Sequence, residues 1–194
     1  SRLTAKAASA FTEIGDFDGE TSAIVAQARI LYTQGDFDQA LKLFRECEQR
    51  SRQSGNMVGL SLVLGNQAEF YAQKGDFERA MTILIEEEDI SRTMGDQELL
   101  AAALGSKAGV LMKQGDLFSA KQNYLECERI FRDLGDPGGL AIVISHQADI
   151  LVAEGAIEKG LNLAEQAYSL VVDHHIMALH KQLFEQVIRI RAMV

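Results

Sequence analysis

The chain has 194 residues, of which 47% are hydrophobic and 24% are charged, a balance typical of a soluble, packed protein and not of a disordered one. Its net charge of −9 disfavours a phosphate-binding surface, so we expect no nucleic-acid partner. No apolar run approaches the roughly 18 residues of a membrane span, and no signal peptide is visible. We therefore expect a cytoplasmic protein without a membrane partner.

Glycine recurs in two interleaved series with a period of 40 residues. The two series are Gly15, Gly55, Gly95, Gly135 and Gly35, Gly75, Gly115, Gly155. Such a period predicts stacked repeats, each of which buries its apolar face against its neighbours. Proline, which breaks helix interiors, occurs once, at Pro137. The expected fold class is therefore all-α.

We expect each 40-residue repeat to contain two helices of about 18 residues joined by short turns. We predict a single array over residues 1–194, made of a half-repeat at 1–15, repeats at 16–55, 56–95, 96–135 and 136–175, and a terminal helix at 176–194. Because the chain starts within the pattern, at Ser1, we expect it to be a piece of a longer protein. The terminal helix is expected either to cap the array or to expose a stacking face.

Each turn of the pattern has a physical reason. Glycine after the last periodic residue closes a helix in the left-handed conformation, and the aspartate that follows caps the next helix. Asp36, Asp76 and Asp116 hold this capping position. The fourth turn departs from the pattern, because Ala156 replaces the aspartate and Gly160 replaces a recurring alanine. We therefore expect the fourth repeat to be the least stable.

Small residues mark the expected contacts between helices. They are Ala28, Ala68, Ala108 and Ala148 on the first helices and Ala40, Ala80, Ala120 and Gly160 on the second helices. Leu64 and Tyr71 flank Ala68 on the same helix face, which is the spacing of a buried stripe. Cys47 and Cys127 lie two repeats apart, too far for a disulfide, and we expect both to be buried thiols in a reducing compartment.

The segment Leu64-Gly65-Asn66, followed by Tyr71, Gly75-Asp76-Phe77 and Ala80, strongly resembles the tetratricopeptide repeat. The longer period resembles the extended repeats of spindle-orientation adaptors and the sensor arrays of bacterial signal-transduction ATPases. The resemblance implies a right-handed α-solenoid of antiparallel helix pairs, with about four repeats and flanking half-repeats. It also implies that the first helices line a concave wall and that the asparagine matching Asn66 binds peptide backbone.

Candidate binding residues on that wall follow from helix geometry. At about 100° per residue, Asn66, Glu69 and Gln73 point away from the core face, and equivalent positions recur in the other repeats. The candidate peptide-binding residues are Arg29, Thr33, Leu62, Asn66, Glu69, Gln73, Ser106, Lys113, Ile142, His146 and Asp149, and the last helix adds Gln182, Gln186, Arg189 and Met193 at the equivalent positions. An equally weighted interpretation is a plain solvated surface, since any exposed helix face carries polar residues.

Other side-chain groups give weaker signals. The acidic run Glu86-Glu87-Glu88-Asp89 on a second helix favours a solvated outer face over a dock for a basic partner. His174, His175 and His180 are poorly spaced for one metal ion, and the wall lacks the clustered cations that a carboxylate clamp needs. No phosphate loop, dinucleotide fingerprint or nucleophile elbow occurs. We therefore expect a protein that is not an enzyme and that has no metal or cofactor.

The leading functional hypothesis is a protein–protein interaction scaffold that binds a peptide or helical segment of a partner along its concave surface. One alternative is a ligand-sensing, regulatory array within a larger signalling protein that contains a signal-transduction ATPase. Another is a self-assembly module, in which the end helices join copies of the chain into a homo-oligomer. The sequence leaves these alternatives open.

Overall fold

The computed structural model describes residues 17–194, and the half-repeat predicted at 1–15 lies outside the described residues. Over the described residues the chain forms helices joined by short turns, without a strand. The helices are α1 (Phe17–Thr33), α2 (Phe37–Ser54), α3 (Met57–Gln73), α4 (Phe77–Met94), α5 (Gln97–Gln114), α6 (Leu117–Leu134), α7 (Pro137–Ala153), α8 (Ile157–Asp173) and α9 (Met177–Arg191). Their lengths are close to the roughly 18 residues that the sequence predicts for the two helices of each repeat.

The chain divides into two compact units, unit 1 up to Leu99 and unit 2 from Leu100 onward. In unit 1, α2 packs against α1 and α3, α3 packs against α4, and the first helices α1 and α3 also contact each other. In unit 2, α7 packs against α6 and α8, α8 packs against α9, and the first helices α7 and α9 meet. These contacts confirm the predicted fold class, an all-α arrangement of packed helix pairs.

The turns between helices have the predicted backbone geometry. Every recurring glycine among the described residues has a positive φ, between 67° and 84°, which is the left-handed region that closes a helix. Asp36, Asp76 and Asp116 each accept a hydrogen bond from the backbone amide three residues on. Such a cap contributes roughly 1 kcal/mol to helix stability. Gly15, the first of the predicted turn glycines, lies outside the described residues.

The fourth turn lacks this cap but gains a closer helix contact. Ala156 precedes α8 and offers no side-chain hydrogen bond. A Cβ atom added at Gly160 would lie 2.7 Å from Val152 Cγ2 and 3.0 Å from the Ala148 carbonyl oxygen. Alanine, which the other repeats carry at this position, would therefore force α7 and α8 apart. Gly160 thus lets α7 and α8 approach each other closely, and the low stability expected for this repeat stays a prediction.

The turn between α8 and α9 contains the histidine pair. His175 has a φ of 55° and takes the place of the recurring glycine. A residue with a Cβ atom is strained in this region, by about 1 kcal/mol or more. His174 and His175 are both exposed. Among residues 17–194, no group of three or more His, Cys, Asp or Glu side chains is arranged to hold a metal ion.

The core of each unit forms where the sequence places small residues. The seven recurring alanines are all 0% exposed, and Gly160 is buried as well. In unit 1 the core groups Val25, Ala28, Ala40, Phe44, Cys47, Val63 and Phe70. Cys47 and Cys127 are buried and form no disulfide with each other, as predicted, and burial raises the pKa of Cys127 to about 12. No helix in the described part of the chain is long and apolar enough to cross a membrane.

Candidate functional site

A groove of about 270 Å³ lies in unit 1, between the first helices α1 and α3 and above the second helix α2. We call it the unit-1 groove. Its lining residues are Arg29, Tyr32, Thr33, Phe44, Asn66, Glu69, Phe70 and Gln73. Five of these residues, on α1 and α3, are among those predicted from helix geometry. The structure therefore brings Arg29 and Thr33 together with Asn66, Glu69 and Gln73.

Three aromatic residues that the sequence analysis did not select form the floor of this groove. The rings of Tyr32 and Phe70 meet edge to face, with centroids 5.4 Å apart, and Phe44 and Phe70 meet in the same way at 6.5 Å. Phe44 is 2% exposed and Phe70 is 7% exposed, so they offer the groove only a small part of their surface. The equivalent of Phe70 in unit 2 is aliphatic, Ile150. An aromatic residue at a repeat position that is aliphatic in unit 2 is the sequence feature that could have indicated this aromatic floor.

The rim of the unit-1 groove is polar, and two of its donor groups form hydrogen bonds within their own helices. Thr33 Oγ donates to the Ile30 carbonyl at 2.8 Å, and Asn66 Nδ2 donates to the Leu62 carbonyl at 2.8 Å. Because a carbonyl oxygen can only accept, the orientation of the Asn66 amide is fixed by this contact. Its side-chain oxygen and the Thr33 hydroxyl oxygen therefore remain as acceptors at the rim.

The remaining rim residues carry the charges. Gln73 Nε2 donates to Glu69 Oε1 at 3.0 Å, which occupies one of the two carboxylate oxygens. Arg29 is exposed and forms no ion pair with any residue in the described part of the chain. The rim thus offers several oxygen acceptors and one guanidinium group with its five N–H donors.

A second groove, of about 340 Å³, lies in unit 2 between the first helices α7 and α9, and we call it the unit-2 groove. Its lining residues are Ser145, His146, Asp149, Gln182, Glu185, Gln186 and Arg189. Arg189 Nη2 donates to Asp149 Oδ1 at 2.7 Å across the groove. Ser145 Oγ donates to Gln186 Oε1 at 2.7 Å, and Gln186 Nε2 returns a bond to the Ser145 carbonyl at 2.9 Å. Most polar groups here bind one another.

His146, on the wall of the unit-2 groove, is partly buried. Its ring stacks on Tyr124 with a centroid distance of 5.1 Å and an interplanar angle of 14°. Burial lowers the pKa of His146, although the Asp149 carboxylate opposes the shift. Burial also raises the pKa of the Tyr124 hydroxyl. The imidazole is therefore neutral near pH 7, and it acts as a packing residue with a polar edge.

The other predicted residues lie outside both grooves. Leu62 is 37% exposed and Ile142 is 38% exposed on their first helices. Ser106 and Lys113 are exposed on α5. The positions chosen by helix geometry include exposed side chains such as Leu62 and a buried one, Gln186, which is 7% exposed. Helix geometry also did not separate the positions that line a groove from those that do not.

The acidic run on α4 is not uniformly solvated, which corrects the expectation for one of its members. Glu87 is only 4% exposed, and burial raises its pKa to about 7. Ser61 Oγ donates to Glu87 Oε1 at 3.4 Å, while Oε2 has no hydrogen-bond partner among the described residues. Gly65 leaves room for this carboxyl group, because a Cβ atom there would lie 2.9 Å from Oε1.

Part of the acidic surface of unit 1 is neutralised by a bridge between second helices. Arg52 donates to Glu48 on its own helix at 2.8 Å and pairs with Glu86 on α4 at 2.7 Å. The second oxygen of Glu48 accepts from Gln67 Nε2 at 2.8 Å. These glutamates therefore connect helices, which leaves less negative charge for a basic partner.

The terminal helix α9 presents a face unlike that of the other first helices. Ile188 is 48% exposed and stands where Ala68, Ala108 and Ala148 are fully buried. Lys181 holds the repeat position equivalent to that of Ser61, which is fully buried. The Lys181 ammonium group lies 3.8 Å from the Glu185 carboxylate. A further helix could not approach this face as closely as the second helices approach the other first helices.

The antiparallel helix pairs and the grooves along the first helices define a helical-repeat protein. Residues 23–54 match the family model of the tetratricopeptide repeat. Together with the structural likenesses that follow, this match confirms the predicted resemblance to the tetratricopeptide repeat. A search of curated proteins found no significant match.

Three solved structures illustrate the likeness of fold. BtubC (BKLC) from P. vanneervenii has a TM-score of 0.76 at 15% identity, and the match covers 99% of this chain and 89% of that chain. A Signal Transduction ATPase with Numerous Domains from Pyrococcus horikoshii, which has a tetratricopeptide repeat sensor, has a TM-score of 0.75 at 21% identity. That match covers 90% of this chain and 26% of that chain. Tetratricopeptide-like repeats of a putative kinesin light chain from Podosopora anserina have a TM-score of 0.65 at 14% identity, with 89% and 95% covered. At these identities the likeness concerns the fold alone.

Proposed function

We propose that this chain is a protein-interaction scaffold whose unit-1 groove binds a peptide segment of a partner protein. The tetratricopeptide fold is in general that of interaction scaffolds. The observation that carries the proposal is the composition of this groove, an aromatic floor beneath a rim of oxygen acceptors. An apolar floor with a few convergent polar groups is the usual composition of a ligand site.

The rim favours a peptide because a peptide backbone brings donors. Thr33 uses its hydroxyl hydrogen within α1 and Asn66 uses one amide hydrogen within α3, which leaves the oxygen of each side chain as an acceptor. The N–H groups of an extended segment can donate to such oxygens. An apolar side chain of the same segment can cover the half-buried ring of Tyr32 and the small exposed part of Phe70, and aromatic surface contributes strongly to interfaces.

The test uses the intact chain and a display library of random twelve-residue peptides, from which binders are selected and measured by titration calorimetry. We expect Asn66→Ala combined with Gln73→Ala to weaken the selected peptides at least tenfold, which corresponds to about 1.4 kcal/mol. Gln49→Ala on α2 is the matched control, because Gln49 is an exposed amide outside the groove. Equal affinities for the groove variant and the control would place the binding site elsewhere.

The second candidate function is regulatory. It is supported by the likeness of nearly the whole chain to 26% of a Signal Transduction ATPase that has a tetratricopeptide repeat sensor. In that role a ligand in the array changes a neighbouring effector domain. A longer protein with a nucleotide-binding domain next to this segment, in which a groove-binding peptide changes nucleotide hydrolysis, would support the regulatory role. Hydrolysis that is indifferent to the peptide would leave the simple scaffold.

A further inference from the structure

We propose that the unit-1 groove selects a segment in which an acidic and a basic side chain flank an apolar one, so that the acid pairs with Arg29 and the base pairs with Glu69. This inference rests on the proposed function. It assigns the partner's chemistry, which the fold alone does not give.

The geometry separates the two charges of the groove. Arg29 and Glu69 occupy the same repeat position on α1 and α3. Neighbouring packed helices have axes about 8–10 Å apart. The equivalent pair in unit 2, Asp149 and Arg189, joins at 2.7 Å. Arg29 and Glu69 form no such ion pair within residues 17–194.

Both Arg29 and Glu69 can bind a charged group of a ligand. Arg29 has no ion-pair partner in the described part of the chain, and its planar fork suits a carboxylate. Glu69 has one oxygen bound to Gln73 and the other available to a cation. A purely acidic segment would gain Arg29 but would be repelled by Glu69. A segment with both charges compensates both side chains.

The floor and the helix spacing set the pattern within the segment. The aromatic floor of Tyr32, Phe44 and Phe70 accommodates an apolar side chain between the two charges. An extended segment advances about 3.3 Å per residue, so an acid and a base two to four residues apart span about 7–13 Å. This range includes the expected distance between α1 and α3.

The experiment uses the peptides selected from the random twelve-residue library. We expect them to share the acidic, apolar and basic pattern. Arg29→Glu should weaken a selected peptide at least tenfold, and replacing the peptide's acid with lysine should restore the affinity. Glu69→Lys should have the same effect, with restoration when the peptide's base becomes glutamate. Lys42→Glu is the matched control, because Lys42 is 76% exposed on α2 and outside the groove, and we expect less than a twofold change.

The outcomes separate this inference from the proposed function. Peptides that lose affinity with the Asn66 and Gln73 variant, but keep it with Arg29→Glu and Glu69→Lys, would overturn the charge pattern and leave the groove as the binding site. A library that yields no groove-dependent peptide would overturn both. Restoration by charge exchange would also show that the variants are folded, since an unfolded protein could not regain affinity.

Discussion

In unit 2, Asp149 and Arg189 stand at the same repeat position of neighbouring first helices, and their ion pair bridges the groove. In unit 1, the equivalent Arg29 and Glu69 do not pair with each other. Gln73 binds one carboxylate oxygen of Glu69, whereas the equivalent position after Asp149 is Ala153, which offers no hydrogen bond. An ion pair between first helices thus bridges the unit-2 groove, and none bridges the unit-1 groove within the described residues.

The grooves also differ in what lies beneath the charges. The unit-1 groove has the rings of Tyr32, Phe44 and Phe70, whereas the unit-2 groove is lined by polar side chains that bind one another, such as Ser145 and Gln186. Bound polar groups must break existing hydrogen bonds before they accept a ligand, which costs affinity. The unit-1 groove therefore has polar groups that are available to a ligand, whereas most polar groups of the unit-2 groove already bind one another.

The largest expected effect comes from removing the aromatic floor. Phe70→Ala should lower the free energy of unfolding by about 3–5 kcal/mol, because it leaves a cavity among buried rings. Denaturant unfolding measured by circular dichroism checks the value. Ile188→Ala is the control, because Ile188 is 48% exposed, and we expect a loss below about 1 kcal/mol. Similar losses in both variants would contradict the role of Phe70 as a core residue.

The repeat period made most of the fold predictable from the sequence. Glycine turns such as Gly35, aspartate caps such as Asp36 and small contact residues such as Ala68 each have a local cause, so a single sequence displays them. The grooves were predicted only in part. Phe44 comes from a second helix, and its place in the floor depends on packing between helices that periodicity does not describe.

The burial of Glu87 shows a second limit. As part of an acidic run, Glu87 resembles its solvated neighbours. Alignment on the repeat period would have separated it, because Cys47 and Cys127 hold the equivalent position and both are buried. A charge at a core position of one repeat is thus visible in the sequence only when repeats are compared.

The next largest effect concerns the carboxyl group of Glu87, whose repeat position is held by Cys127 in unit 2. Burial raises the pKa of Glu87 from 4.5 to about 7, so the folded chain favours the protonated form. The group's contribution to stability is present below pH 4.5 and is lost as the pH rises to about 7. At pH 8 we expect Glu87→Gln to be more stable than the parent chain by up to about 3 kcal/mol.

Urea unfolding at pH 4.5 and pH 8 tests this pH dependence. The lower pH equals the unshifted pKa of the Glu87 carboxyl group, and the higher pH lies above its pKa of about 7 in the folded chain. The two chains should nearly converge at the lower pH, because the folded carboxyl group is then protonated and the unfolded one, at its pKa of 4.5, is half protonated. Glu46→Gln is the control, since the Glu46 side chain is 56% exposed, and its stability should match the parent at both pH values. A Glu87→Gln difference of the same size at both pH values would contradict a titrating buried carboxyl group.

The smallest effect tests the comparison of the two grooves directly. A double-mutant cycle with Asp149→Asn and Arg189→Gln should give a coupling energy of about 0.5–1 kcal/mol in unit 2, because an exposed pair with good geometry contributes little more. The equivalent cycle with Arg29→Gln and Glu69→Gln should give a coupling near zero in unit 1. The unit-2 coupling should fall at 1 M salt, where the screening length is about 3 Å. Equal couplings in the two cycles would mean that Arg29 and Glu69 pair in solution, and the unit-1 groove would then be bridged like its counterpart.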